Sequence, residues 1–262
     1  MKFLGIDLGW HSGASGLCCL QWQNNHLVLV ELNRQDSVAD ILAWVDAIAP
    51  APQPAIIAVD APTRIANLTG MRLADKLTHQ HFGRYHAGCY PANLSRPFAQ
   101  KTVSFGLSLE ARGFLHAPTL ASYKLENSPP GRYQIEVFPH PATINLFNLN
   151  RILKYKKGKL AERRAELIKL RHYIQKVLPT LEPALSVESL PEIPQTGIAL
   201  KAIEDKLDSL ICAYVAAYWW YWGTTQNLVL GEPTEGYIIV PLPPQRLDTQ
   251  FSEKTTETPT HK

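Results

Sequence analysis

At 262 residues, 45% of them hydrophobic and 19% charged, the chain has the composition of a globular protein long enough to bury a sizeable core. Its formal charge of +3 neither announces a nucleic-acid partner nor excludes one. No run of about 18 apolar residues occurs, and no early basic segment leads into an apolar run, so neither a membrane span nor a signal peptide is expected. The cysteines Cys18, Cys19, Cys89 and Cys212 form no CxxC pair, which suits a reducing cytoplasm.

Phe3 to Ile6 is an apolar strand with Asp7 at its end. Ser15 to Trp22 reads as a second strand, Asn24-Asn25 as a tight turn and Leu27 to Leu32 as a third strand, so the chain opens on an antiparallel meander. Ser37 caps a helix whose Val38, Ile41, Leu42, Val45 and Ile48 share a face, and the Pro50 to Pro54 stretch stops it. Ala55 to Val59 is a continuous apolar run, the pattern of a strand buried on both faces, and ends in Asp60. Helices are expected from Thr69 to about Phe82 and from Thr102 to Arg112, with a Gly-, Pro- and Asn-rich loop from Tyr85 to Pro97 between them. Tyr133 to Phe138 alternates as a strand, ended by Pro139 and Pro141. An amphipathic helix from Lys159 to Val177, a proline-rich linker or lid from Leu181 to Gly197, a helix from Ile203 to Trp222 and a short strand from Tyr237 to Val240 complete the pattern. Residues 245–262 carry few large apolar side chains and are expected to be a disordered tail.

This order is that of a ribonuclease H-like α/β domain spanning 1–244: a mixed five-stranded sheet with helices on both faces and a helical insertion, about 63–130, after the fourth strand. The acids fall where such a sheet would gather them. Asp7 ends the first strand, Asp60 ends the fourth, Glu136 lies in the fifth, and Asp205 and Asp208 share one face at the start of the last helix. Carboxylates gathered from distant segments repel one another unless a cation neutralises them, and hard oxygen donors favour Mg²⁺ or Mn²⁺. Asp7, Asp60 and Asp208 are the expected metal ligands, and Glu136 and Asp205 complete the catalytic set. Each acid also has a plainer reading, as a turn residue, a solvent-facing strand position or a complement to a helix N-terminus. Nine Lys or Arg stand against two Glu between Arg151 and Arg171. Lys154, Lys156 and Lys157 are expected to hold a phosphate backbone, as is Arg72, whose alternative is a local salt bridge with Asp75.

The same pieces resemble the family of predicted ribonuclease H-like nucleases known as domain of unknown function 429. They are Gly5-Ile6-Asp7-Leu8-Gly9, Ala58-Val59-Asp60-Ala61-Pro62, Arg72 with Asp75, Glu136 to Pro141, Glu204 to Asp208 and Gly231 to Pro241. Where that family usually has a tryptophan, this chain has Tyr237. The resemblance implies the fold, and with it a metal-dependent nuclease or phosphodiesterase acting on nucleic acid. Two other classes fit the residues: a binding protein on the same fold that does not turn over substrate, and an actin-like ATP-handling protein. The last is suggested by Gly9 to Gly13, although no second phosphate loop accompanies it.

Overall fold

A computed structural model describes residues 1–10, 13–119, 122–123 and 131–244. The expected tail, residues 245–262, lies outside the described residues, as do His11 and Ser12 of the glycine loop. Strands β1 (Lys2–Asp7), β2 (Ser15–Gln23) and β3 (His26–Gln35) form the antiparallel meander, with Asn24 and Asn25 both at positive φ in the turn that joins β2 to β3. Helix α1 (Val38–Ile48) begins at Ser37, whose hydroxyl accepts the Asp40 N–H. Strand β4 (Ala55–Val59) lies parallel to β1. Helices α2 (Leu73–Phe82) and α3 (Ala99–Glu110) precede a two-residue strand β5 (Leu115–His116) and then β6 (Arg132–Glu136), which is parallel to β4. Helices α4 (Pro139–Phe147) and α5 (Leu160–Val177), strand β7 (Leu185–Ser186), helix α6 (Gly197–Trp222) and the ribbon β8 (Asn227–Glu232) and β9 (Gly236–Pro241) follow.

The main sheet runs β5-β6-β4-β1-β2-β3-β7. Without the two-residue edge strands its order is β3-β2-β1-β4-β6, the meander followed by two parallel strands, which is the ribonuclease H-like arrangement. Alternating residues feed two cores. Leu4, Ile6, Leu17, Ile57 and Val59 pack with Ile41, Trp44 and Val45 of α1 and Phe105 and Leu109 of α3. Phe3, Cys18, Leu20, Ile56, Ala58 and Ile135 pack on the opposite face with α4, α5 and α6. Trp219 and Trp220 of α6 are buried in that second core. Helix α2 packs on the β8–β9 ribbon.

Three expectations from the sequence need correction. Pro139 and Pro141 do not merely end a strand; they lie in the first turn of α4, where a missing N–H costs no helical hydrogen bond. Helix α2 starts at Leu73 instead of near Thr69, because the Asp75 carboxylate accepts the Arg72 N–H at 3.1 Å and so caps the chain there. Helix α6 starts at Gly197 instead of Ile203. Glu204, Asp205 and Asp208 therefore lie about two turns or more inside it, beyond reach of the N-terminal dipole.

The close seating of α6 depends on two glycines. A Cβ on Gly5 would fall on the Ser209 carbonyl and the Ala213 nitrogen, and one on Gly16 would fall on the Asp205 carbonyl. Both absences let the helix backbone lie directly on β1 and β2, which delivers Asp205 and Asp208 to the sheet edge.

Candidate active site

Register brings the first two acids together. Ile6 pairs with Val59, and the Asp60 N–H donates to the Ile6 carbonyl at 2.9 Å, so Asp7 and Asp60 leave neighbouring strands at the same level. Strand alternation turns both toward α6, which brings their carboxyl groups close enough to influence one another's protonation. Asp208 has no solvent exposure. Its Oδ1 accepts the Tyr155 hydroxyl at 2.7 Å, and its Oδ2 lies 2.8 Å from the Lys156 ammonium. That contact has the distance of an ion pair but not the direction of a hydrogen bond, which leaves Oδ2 without a hydrogen-bond partner. Asp205 is tied to Arg34 at 3.0 Å and to Lys201 at 2.7 Å.

The electrostatics follow from this crowding. Burial pushes the Asp7 carboxyl well above its usual range; Lys156 opposes it, and the Asp208, Asp60 and Asp205 charges push it further up. Asp60 is pushed up to about 7, first by burial and then by Asp208, against the pull of Lys156, Lys201 and the neighbouring Asp7 carboxyl. Burial acts against the Lys156 charge, but Asp208 and Asp7 outweigh it and hold the ammonium protonated. Burial and Lys156 keep the His140 ring neutral, its value lowered to about 4. The ring lies 5.6 Å from that of Tyr155, and its Nδ1 is buried without a partner. Among the described residues no group of three His, Cys, Asp or Glu side chains is arranged to hold a metal ion. The centre of the acidic cluster is filled by Lys156.

Glu136 lines the same cleft as Asp7 and Asp60, and the Asp60 charge reaches it, but it sits on the other face of the sheet. It pairs in register with Val59, so it shares the face of Val59 and points away from α6. There it meets Arg72, which is only 4% exposed. The Arg72 Nε donates to Asp75, Nη1 donates to the Arg64 carbonyl and to Glu136 Oε2, and Nη2 donates to Asp75 Oδ1 and Glu136 Oε1. All five N–H donors of the guanidinium are thereby spent inside the protein, and none is left for a substrate phosphate. The sequence reading of Arg72 as a phosphate grip gives way to a clamp: Asp75 also accepts the Ala92 N–H at 2.9 Å, so the Arg72–Asp75–Glu136 cluster ties the loop before α3 to β6. Burial raises the Glu136 carboxyl to about 7, while the charge and hydrogen bonds of Arg72 pull it down.

The three lysines separate. Lys156 enters the acidic cluster, exposed Lys157 lines the cleft above it, and exposed Lys154 does not line it. The arginines further along the basic run serve the fold. Arg164 donates to the Ile193 and Pro194 carbonyls, Arg171 to those of Leu190 and Pro191, and Arg163 pairs with Glu204 at 3.3 Å. Arg164 and Arg171 fasten the stretch 190–194 before α6, whose carbonyls lie outside any helix or strand, and Arg163 joins α5 to α6.

Four participants escape a reading of the sequence. Arg34 and Lys201 neutralise Asp205, Tyr155 holds Asp208, and Trp10 donates its indole N–H to the Asp60 carbonyl at 3.0 Å. Lys201 has a local signal, since it lies three and four residues before Glu204 and Asp205 on one helix. The others are brought in from distant segments and leave none.

Strand order and buried acids together define a protein of the ribonuclease H-like fold with a carboxylate–lysine cluster at one sheet edge. The chain belongs to the family described as "Protein of unknown function (DUF429)", which it matches over residues 5–235. No curated protein matches it in sequence. Among solved structures it is similar to T. thermophilus RuvC in complex with Holliday junction substrate, at 12% identity and a TM-score of 0.34, over 83% of this chain and 97% of that one. It is also similar to the Fowlpox virus resolvase in complex with Holliday junction DNA, at 11% identity and a TM-score of 0.30, over 83% of this chain and 95% of that one. The fold assignment rests on the strand order.

Proposed function

We propose that the chain is a metal-dependent phosphodiesterase acting on nucleic acid. The observation that carries this reading is the convergence of Asp7 and Asp60, which line a cleft of about 1140 Å³ with Lys156, Lys157 and Lys201, on Asp208 buried behind Lys156. Half-buried carboxylates whose protons are held up toward neutral pH form a site short of positive charge. The donor set is hard oxygen, and Asp208 Oδ2, held by the Lys156 charge alone and by no hydrogen bond, becomes a ligand atom if that ammonium moves aside. Asp7, Asp60 and Asp208 would hold Mg²⁺ or Mn²⁺, which supplies water activation and stabilisation of the leaving oxygen when bound. Tyr155 orients Asp208 through Oδ1. Lys156 neutralises the cluster in the absence of an ion; once an ion takes that role, its ammonium is free to meet a phosphate. Lys157 offers a second positive contact at the cleft.

A second reading has its own support. The Lys156 ammonium already balances the acids without an ion, an arrangement that a nucleic-acid-binding protein without turnover could keep. The actin-like alternative finds no support: the described residues form one main sheet and a two-stranded ribbon.

Thermal unfolding with and without Mg²⁺ or Mn²⁺, alongside cleavage of single-stranded, duplex and branched substrates, separates the two readings. At an ion concentration near 100 times Kd the gain is about 2.7 kcal/mol, or roughly 5–10 °C for a chain of this size. Asp7→Asn is expected to abolish both the gain and cleavage while leaving the ion-free protein at least as stable as the parent. A parent that neither shifts nor cleaves with either ion leaves only the binding reading.

A further inference from the structure

We infer that Trp10, Tyr90 and Phe98, with Arg96, form a subsite for an unpaired base of the strand whose phosphodiester reaches the acidic cluster. The inference rests on the proposed function and adds to it the strandedness of the substrate. All four residues line the cleft that holds Asp7, Asp60 and Lys156. Trp10 follows Asp7 by three residues and is fixed to the Asp60 carbonyl. Its ring lies 4.6 Å from Phe98, and Phe98 lies 6.3 Å from Tyr90 in an edge-on arrangement.

The wall is graded from core to solvent. Phe98 is 2% exposed, Trp10 is half-buried and Tyr90 is 60% exposed. A large aromatic left open beside two others in a cleft offers π surface on the face that Arg96 does not cover. The Arg96 guanidinium stands over the Tyr90 ring at 5.0 Å, no carboxylate pairs with it among the described residues, and its Nε is buried without a partner. A flat ring next to an uncompensated cation suits a base joined to a phosphate, because stacking takes the base while the charge faces the anion. In a duplex both faces of each internal base are already stacked, so only an unpaired or extruded base can use such a wall.

The loop that carries Tyr90 is held before any ligand arrives. The Ala92 N–H is bound by Asp75, the Asn93 side chain donates to the Gly70 carbonyl at 2.7 Å, and the Leu94 N–H donates to the Asn67 carbonyl at 3.0 Å. The Arg72 clamp therefore has a task beyond stability: it pre-sets the wall against the acidic cluster.

The test is binding in EDTA, read by fluorescence anisotropy. The probes are a labelled oligothymidylate, an abasic strand of equal length and a hairpin duplex. Tyr90→Ala is expected to weaken oligothymidylate binding roughly tenfold, with the abasic strand and the duplex bound as by the parent. Tyr90→Phe should bind like the parent, because the ring is retained. The inference is overturned if Tyr90→Ala binds oligothymidylate as the parent does, or loses affinity for the abasic strand by the same factor. Cleavage by the same proteins with Mn²⁺ keeps the two proposals apart. A parent that cuts nothing yet shows the Tyr90-dependent preference loses the hydrolytic reading and keeps the subsite. A parent that cuts, with Tyr90→Ala indifferent in binding, keeps hydrolysis and loses the subsite.

Discussion

Replacing Arg72 with Met tests the clamp directly. The Arg72 and Asp75 side chains are 2% and 1% exposed, and that of Glu136 is 5% exposed, so the variant strands two buried carboxylates at the wall of the cleft. Removing one partner of a buried ion pair costs about 3–5 kcal/mol. The upper half of that range applies here, because five donor positions vanish together. At roughly 2–4 °C per kcal/mol the midpoint should fall by about 8–20 °C. The cost should also depend on pH. The folded-state value for Glu136, about 7, already lies above the ordinary 4.5, so its favourable contribution is complete below about 4.5 and is lost as pH rises through 7. Without the Arg72 charge the carboxyl climbs further and takes up its proton on folding over a wider range. The gap between parent and variant should therefore be smallest near pH 5 and widen toward pH 8. Adding Glu136→Gln to Arg72→Met should recover part of the loss, because the second stranded charge is gone. Urea unfolding at both pH values measures all of this. A cost under about 1 kcal/mol, or one indifferent to pH, would show that water reaches the cluster and that the clamp argument is mistaken.

Two further outcomes follow from the same geometry. Gly5→Ala should lift α6 from β1, costing about 1–3 kcal/mol by overpacking and lowering any ion-induced stabilisation, whereas Gly13→Ala, with nothing near its Cβ, should leave packing unchanged; calorimetry of both variants with and without Mn²⁺ decides. Lys157→Gln should weaken nucleic-acid binding and flatten its salt dependence by about one counterion, while Lys154→Gln, outside the cleft, should bind like the parent across a salt titration.

The sequence alone determined the parts whose signals are local. Ser37 announces α1, the Ala55 to Val59 run announces a central strand, and Asn24-Asn25 announces a hairpin, because each depends on neighbours within a few residues. The succession of these elements suggests the strand order, and the sheet pairing of β1 with β4 brings Asp7 and Asp60 to one edge. Three features needed the folded chain. Glu136 reads as another acid of the set, yet pairing in register with Val59 turns it to the opposite face, and no one-strand pattern shows which face is which. Asp205 and Asp208 read as residues of a helix start, yet α6 begins at Gly197, so only its close seating over Gly5 and Gly16 explains their burial. Lys156 and Arg72 both read as cations awaiting a phosphate. Which of them had already spent its charge on the protein was settled by contacts between segments far apart in the chain. Periodicity and composition record what each residue prefers, whereas partners are assigned only when tertiary packing excludes water and makes every buried charge find one.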